Sequence, residues 1–319
     1  MSVFRKKARH ASGLTAIDAV DGRVCAIRLN PIAADARTDD EDRRYSLSLV
    51  DERAGETAEE LGANLEALCR QHDLDATPCT TALDSNYKLI LTEAPDVPAD
   101  ELRAALRWRV KDLIDGPVEE TTFDTLVIPS LDSTQRARQI YVVAAENQAL
   151  HARVDPMQEA GINLQVVDVA ETALRNIAAL LPEDASGVAT LWLREDRGLL
   201  SLTRGGELYM SRNLSTGLSS LRRTSERAQA IEALALEIQR SLDYYESHYR
   251  LPPVRILYLA PIAGEIPELA TGLRENIGID TKPLILEQLI HTTESMPNGW
   301  QSRYLIAIGA AMRPGVTAS

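Results

Sequence analysis

The stretch Val188-Ala-Thr-Leu-Trp-Leu-Arg-Glu-Asp-Arg-Gly-Leu-Leu-Ser-Leu-Thr-Arg-Gly-Gly-Glu-Leu-Tyr-Met-Ser-Arg-Asn213 decides the fold. Its apolar runs, Val188–Leu193, Gly198–Thr203 and Glu207–Asn213, are separated by polar turns at Arg194–Arg197 and Arg204-Gly205-Gly206. Short β-prone runs with turn residues between them predict an antiparallel meander. A long helix is expected over Ala228–Tyr249, with Ile231, Leu234, Ile238, Leu242, Tyr245 and Tyr249 on one apolar stripe. Pro252-Pro253 stops it, because proline lacks the amide a helix needs. Val254–Ala260 then reads as a buried strand, followed by a helix near Pro267–Asn276, a strand near Thr281–Ile285 and a last helix near Arg303–Met312.

The same order occurs earlier in the chain. Leu14–Ala19 and Arg23–Leu29 flank Val20-Asp21-Gly22, and Asp-Gly favours a tight hairpin. Tyr45–Val50 alternates Tyr45, Leu47 and Leu49 against serines, the period of a half-buried strand. Thr57-Ala-Glu-Glu60 is a capping box, and Leu61, Leu65, Leu68 and Cys69 continue at helical spacing. Strands, helix, strand and helix in the same order twice predict two related α/β lobes facing a shared cleft. Between them, a strand at Tyr87–Thr92 and a helix over Asp100–Ile114 (Leu102, Leu106, Leu113 and Ile114 inward) begin a small α+β insertion. Strands at Phe123–Ile128 and Ile140–Ala145 are linked by the polar Ser130–Arg138 stretch, and a helix at Asn147–Ala160 and a strand at Leu164–Val169 complete it, tied back by Val169–Leu181. The expected division is a basic leader at 1–13 and a first lobe at 14–185 that contains the insertion at about 84–165. A second lobe at 186–313 follows, with its last helix (303–313) packing back toward the cleft, and then a tail at 314–319.

Composition narrows the function classes. The chain has 319 residues, with 34 Lys and Arg against 47 Asp and Glu, a formal charge of −13. That balance argues against a phosphate-backbone binder, which needs a basic stripe to release counterions, so no nucleic-acid partner is expected. Apolar residues at 45% and charged ones at 25% are those of an ordinary globule. The best apolar runs, Gly187–Leu193 and Leu305–Met312, fall far short of the roughly 20 residues of a membrane span. Arg5, Lys6, Lys7 and Arg9 have no apolar core behind them, so they are no secretory signal and at most a weak aid to lipid contact. Cys25, Cys69 and Cys79 form no C-x-x-C pair and suit reduced thiols in a cytosol.

Catalytic constellations are thin. His10, His72, His151, His248 and His291 are scattered without metal-binding spacing, and no nucleophile elbow, P-loop or dinucleotide fingerprint is present. The runs Asp39–Asp42 and Glu119-Glu120 read as solvated loops. On the long helix, Glu237, Arg240, Ser241 and Tyr244 fall at i, i+3, i+4 and i+7. Two readings are open for them: a local Glu237–Arg240 pair, or a polar strip lining the interlobe cleft and able to hold a ribose and a base.

Glu237-Ile-Gln-Arg-Ser-Leu-Asp-Tyr-Tyr-Glu-Ser-His-Tyr249 resembles the signature helix of the type IV pilus assembly proteins of the PilM kind. Leu102-x3-Leu106-Arg-Trp-Arg-Val-Lys-Asp-Leu-Ile-Asp-Gly-Pro-Val-Glu-Glu-x2-Phe-Asp124 resembles a stretch of the MshI branch, which serves mannose-sensitive haemagglutinin (MSHA) pili. Val167-Asp-Val-Ala-Glu-Thr-Ala173 and Arg303-Tyr-Leu-Ile-Ala-Ile-Gly-Ala-Ala-Met-Arg313 also fit, and the element order extends the likeness back to Leu14.

The resemblance implies an α/β, actin-like, two-lobed fold with a small inserted subdomain in the first lobe. It implies a cytoplasmic assembly protein, at the inner membrane only through a partner, that binds the N-terminal cytoplasmic tail of a PilN-like bitopic protein. Self-association like that of other actin-fold proteins is left open. The groove for the tail would involve Tyr87–Thr92, the helix bearing Trp108 and Arg109, and the start of Val169–Leu181.

If a nucleotide were bound, the family positions would be Asp18, Glu237, Arg240, Ser241 and Gly309. The phosphate side departs from the family pattern. Asp18-Ala-Val-Asp-Gly-Arg-Val-Cys25 puts Val20 where a glycine lets backbone approach phosphate, and Cys25 where a lysine is usual. Trp192-Leu-Arg194 replaces an Asp-x-Gly turn, Leu259-Ala-Pro-Ile262 replaces a Gly-Gly end, and Asp21 and Asp196 would repel an anion. The expectation is therefore a non-enzymatic scaffold with degenerate nucleotide loops and no cofactor; the alternative is an ATP–Mg-binding switch or slow ATPase. A type II secretion cytoplasmic domain would share the fold and be expected to run on into a membrane segment, where this sequence stops at Ser319.

Overall fold

Backbone pairing divides the chain into two five-strand units of identical pattern. In the computed structural model, residues 14–20, 22–33, 43–98, 101–129, 138–292, 296 and 299–314 are described, the side chains of Val20 and Arg103 excepted. The basic leader, Asp21, Asp39–Asp42, most of Ser130–Arg138 and the tail beyond Pro314 lie outside the described residues. The first part runs β1 (Thr15–Val20), β2 (Arg23–Pro31), β3 (Tyr45–Ala54), α1 (Ala58–His72) and β4 (Cys79–Leu83). Next come β5 (Tyr87–Glu93), α2 (Leu102–Val110), β6 (Thr121–Val127), β7 (Gln139–Glu146), α3 (Asn147–Glu159), β8 (Leu164–Val169) and α4 (Ala170–Ala178). The second part runs β9 (Val188–Leu193), β10 (Gly198–Arg204), β11 (Glu207–Leu214), α5 (Leu218–Arg222), α6 (Arg227–Tyr249) and β12 (Ile256–Leu259). It ends with α7 (Leu269–Ile277), β13 (Asp280–Pro283), α8 (Leu286–Leu289), β14 (Ile290–Thr292) and α9 (Trp300–Ala311).

The order β3-β2-β1-β4-β8 in the first lobe matches β11-β10-β9-β12-β13 in the second. In each, an antiparallel meander is extended by parallel strands. Local sequence explains the joints. Gly205 and Gly206 both adopt positive φ, which the tight β10–β11 turn requires and a Cβ would disfavour. Thr57 caps α1 by accepting from the Glu60 amide at 3.1 Å. The Glu60 carboxylate reaches back to the Glu56 amide instead of that of Thr57, so the expected reciprocal box closes one residue earlier.

Several expectations need correcting. β8 pairs in parallel with β4 in the first-lobe sheet, and Met157 of α3 packs with Leu65 and Leu68 of α1. The insertion proper is thus the sheet β5-β7-β6 with α2, shorter at its C-terminal end than 84–165. α2 stops at Val110, which is buried in place of Leu113; the chain turns through 111–116, leaving Leu113 51% exposed. β14 pairs with β3, so the end of the chain returns to the first lobe instead of belonging wholly to the second.

That return builds the joint between the lobes. α4 leaves the first lobe and packs under β9, β10 and β11, while α9 packs on β1, β2 and β4. The two helices cross each other, sharing one buried core that contains Ile27, Leu174, Leu199, Tyr258, Tyr304 and Ile308. At the crossing a Cβ on Gly309 would lie 2.2 Å from the Ala173 carbonyl oxygen. Asn176 donates to the Gly309 carbonyl at 2.9 Å, and Arg313 pairs with the buried Asp168 at 3.0 Å. Gly309→Ala is therefore expected to destabilise the protein by roughly 1–3 kcal/mol or more through overpacking. Gly62→Ala, on open helix surface, should instead stabilise it by about 0.5–1 kcal/mol. Urea unfolding of both variants checks the pair.

Candidate functional site

Two concave regions are built by this framework. One is the cleft between the lobes, about 480 Å³, lined by Asp18, Glu52, Asp84, Arg194 and Tyr304 among others. It lies where the β1–β2 hairpin faces the β9–β10 turn. Asp18 pairs across the hairpin with Cys25. The β9–β10 turn is closed by the Arg194 amide donating to the Arg197 carbonyl at 2.8 Å. It is wedged against Gly217, where a Cβ would sit 2.4 Å from the Arg197 nitrogen.

The cleft carboxylates all have guanidinium partners. Arg153 of α3 reaches Asp18 at 2.9 Å. Arg194 crosses from the second lobe to the Asp84 carboxylate at 3.4 Å, donates to the Asp84 carbonyl and rests 5.3 Å from the Trp192 ring centre. Glu52 takes Arg23 at 2.8 Å and Arg303 at 3.0 Å, and accepts from the Tyr304 hydroxyl at 3.0 Å. Burial raises the Asp18 carboxyl above its usual range, with Arg153 acting against that rise. Burial also pushes the Cys25 thiol well up, and the nearby Asp18 adds to this, so the side chain stays a neutral thiol.

This donor set does not fit Mg-ATP. A divalent ion would have to displace guanidinium groups already charge-matched to the acids. The rim residues Glu195 and Asp196 add further repulsion for phosphate. Among the described residues no cluster of His, Cys, Asp and Glu has the geometry to hold a metal ion.

The sequence-expected nucleoside residues are not gathered here. Asp18 lines the cleft cavity; Glu237, Arg240, Ser241 and Gly309 do not. Glu237 accepts from the Ser215 amide at 3.2 Å and its hydroxyl at 2.6 Å, tying down the chain after β11. Ser241 is buried and donates back to the Glu237 carbonyl at 2.7 Å, whereas Arg240 is exposed. Helical spacing places these side chains one above another, but the rotation of α6 turns Ser241 into the core. Gly309 serves the helix crossing.

The second region runs between the insertion and the β9–β10 turn. A cavity of about 400 Å³ is lined by Lys88, Asp115, Glu146, Arg197 and Asn213 among others. It shares Asn86, Tyr87, Arg197 and Asn213 with a smaller neighbour that reaches Glu171. Tyr87 donates to Glu171 at 2.5 Å. Burial raises the Glu171 carboxyl, and the Tyr87 bond opposes that rise. β7 is the central strand of the insertion sheet, which leaves β5 and β6 as its edges. Of the residues expected to meet a partner, Tyr87 lines this groove. Trp108 and Arg109 do not: Trp108 is 74% exposed on α2, and Arg109 donates to the Glu93 carbonyl at 2.5 Å.

Arg153, Asp84 and Glu52 escaped the sequence reading, which met Arg194 only as a departure from an Asp-x-Gly turn and Glu171 only as part of a groove segment. Asp84 had a usable signal, a carboxylate just beyond the end of a buried strand, where α/β sheets place their sites. The arginines had none, since each is defined by a partner distant in sequence.

No family model and no curated protein matches the chain. Solved structures do. A chain of a PilM–PilN type IV pilus biogenesis complex aligns at TM-score 0.65 and 18% identity, covering 95% of this chain and 97% of that one. The cytoplasmic domain of EpsL, an inner-membrane component of the type II secretion system of Vibrio cholerae, aligns at TM-score 0.48 and 14% identity over 96% and 98% of the two chains. A Bacteroides thetaiotaomicron protein with an actin-like ATPase fold aligns at TM-score 0.45 and 11% identity over 86% and 92%. At such identities the first likeness shows the fold, and the fold is the two-lobed actin-like one.

Proposed function

We propose that this chain is a cytoplasmic assembly protein of a type IV pilus inner-membrane platform of the MSHA kind. It grips the N-terminal tail of a PilN-like bitopic protein and turns over no nucleotide. The observation that carries this reading is the occupied cleft: arginines hold the acids that a magnesium nucleotide would need. A second concavity lies between the insertion and the second lobe, beside an edge strand of the insertion sheet. An extended tail can add main-chain hydrogen bonds to β5 while Arg197 and Asn213 read its side chains. Support also comes from the near-complete alignment with a chain of the PilM–PilN pilus complex.

The residues give the mechanism its parts. No helix among the described residues is long and apolar enough to cross a membrane, so recruitment would come through the bound tail. The insertion is a firm wall for that groove because it is anchored on the second lobe. The Tyr141 hydroxyl accepts from the Ser211 amide at 3.1 Å, and His248 meets Gln139 at 2.9 Å.

Calorimetry with a synthetic PilN-like tail should give micromolar binding, and Arg197→Glu should weaken it at least about tenfold, the loss of one charge-assisted contact. A folded protein with no heat of binding would sink the reading. In thermal-shift measurements millimolar Mg-ATP should leave Tm unmoved, whereas a ligand at about 100 times its Kd would add about 2.7 kcal/mol. A clear rise in Tm would favour the ATP-switch reading instead. Arg194→Ala should cost roughly 1–2 kcal/mol in urea unfolding, because it leaves Asp84 without its cation in a partly buried, acid-rich cleft.

A further inference from the structure

Helix α2 carries a surface that neither the cleft nor the groove uses. Its inner side, Leu102, Leu106 and Val110, packs on the insertion sheet. Trp108 follows Leu106 by two residues, about 200° around the helix, and so stands nearly opposite the buried side. It is 74% exposed, the most exposed of the large apolar side chains among the described residues. The segment 102–111 holds Arg103, Arg107, Arg109 and Lys111 and no carboxylate, within a chain whose formal charge is −13.

Among the described residues no carboxylate pairs with Arg107, Arg109 or Lys111. Arg107 and Arg109 donate to the Val118 and Glu93 carbonyls on the two flanks, and the Lys111 ammonium sits 5.3 Å from the centre of the Trp108 ring. The acids nearest in sequence, Glu101 and Asp112, bracket the ends of the run.

We propose that the outer face of α2 docks on the anionic headgroup surface of a phospholipid membrane. Charge complementarity selects this occupant: clustered Arg and Lys around one indole is the composition of an interfacial anchor. Trp108 enters the headgroup layer while Arg107, Lys111 and their neighbours meet phosphates. A projecting ring on a convex helix suits a fluid interface that closes around it, whereas an acidic peptide would need a concave seat. The position on the fold agrees. Ile114, Asp115 and Gly116, which line the groove, follow α2 directly, so a membrane lying against α2 is close to the groove's mouth.

The test uses the full chain and vesicles that contain no protein partner, so its outcome is independent of the tail reading. Phosphatidylglycerol/phosphatidylethanolamine vesicles are compared with phosphatidylcholine ones by co-sedimentation and tryptophan emission. Trp300 is buried and Trp192 half-buried, so a blue shift on binding reports Trp108. Partitioning is expected on the anionic vesicles at low salt, to vanish on phosphatidylcholine and to fall steeply at 0.5 M salt, where the Debye length is only a few ångströms. Trp108→Ala should abolish the blue shift, and Arg107→Glu with Lys111→Glu should cut partitioning by more than about tenfold. Lys111→Glu alone, at a side chain with no hydrogen bond among the described residues, guards against a folding defect. No partitioning overturns the proposal, as does capture of poly-glutamate without vesicles. Binding with unmoved emission that survives these variants, as the N-terminal basic residues alone would give, also overturns it.

Discussion

The crossing of α4 and α9 is the constraint on which the rest of the molecule depends. Each helix leaves one lobe and packs on the sheet of the other, so neither lobe has a complete core by itself. The contact is close because Gly309 lets the α9 backbone meet the Ala173 carbonyl. Around it, Asn176 donates to the Gly309 carbonyl and Arg313 supplies a charge partner for the buried Asp168. Two stretches far apart in the chain, 167–173 and 303–313, are thus one structural unit. The geometry of both concave regions follows from how that unit sets the lobes.

Between the lobes, the cleft acids are held by arginines. Guanidinium groups from α3, from the β9–β10 turn and from α9 neutralise Asp18, Asp84 and Glu52. An arginine delivers a single positive charge in a planar fork and cannot bridge phosphate oxygens to carboxylates as a divalent ion does. Arg194 therefore works as a tie between the lobes. The same pairing lets a chain of net charge −13 keep acids in a cleft without mutual repulsion forcing it open.

The insertion is more than an appendage of the first lobe. Alternation along β7 points Ile140, Val142 and Ala144 toward α2. Tyr141 joins the core of the second lobe, and Ala145 and Val143 meet Leu83 and Val169 of the first. One strand so serves both lobes, and the groove beside it has a fixed width. α2 is left on the outside, with its basic face and Trp108 unused by the interior.

Periodicity, with turn and cap residues, determined the doubled lobe pattern and the inward faces of α1 and α6, because backbone hydrogen bonding forces periods of 3.6 and 2 on any buried stripe. Only the tertiary structure decided that β8 belongs to the lobe sheet, that the chain end returns to β3, and that Glu237 binds Ser215. It alone brought Arg153 and Arg194 to the cleft acids and turned Trp108 outward. Such contacts join residues far apart in the chain, Asp18 and Arg153 by 135 positions and Glu52 and Tyr304 by 252. Local pattern carries no record of them, because they arise only when packing closes the distance.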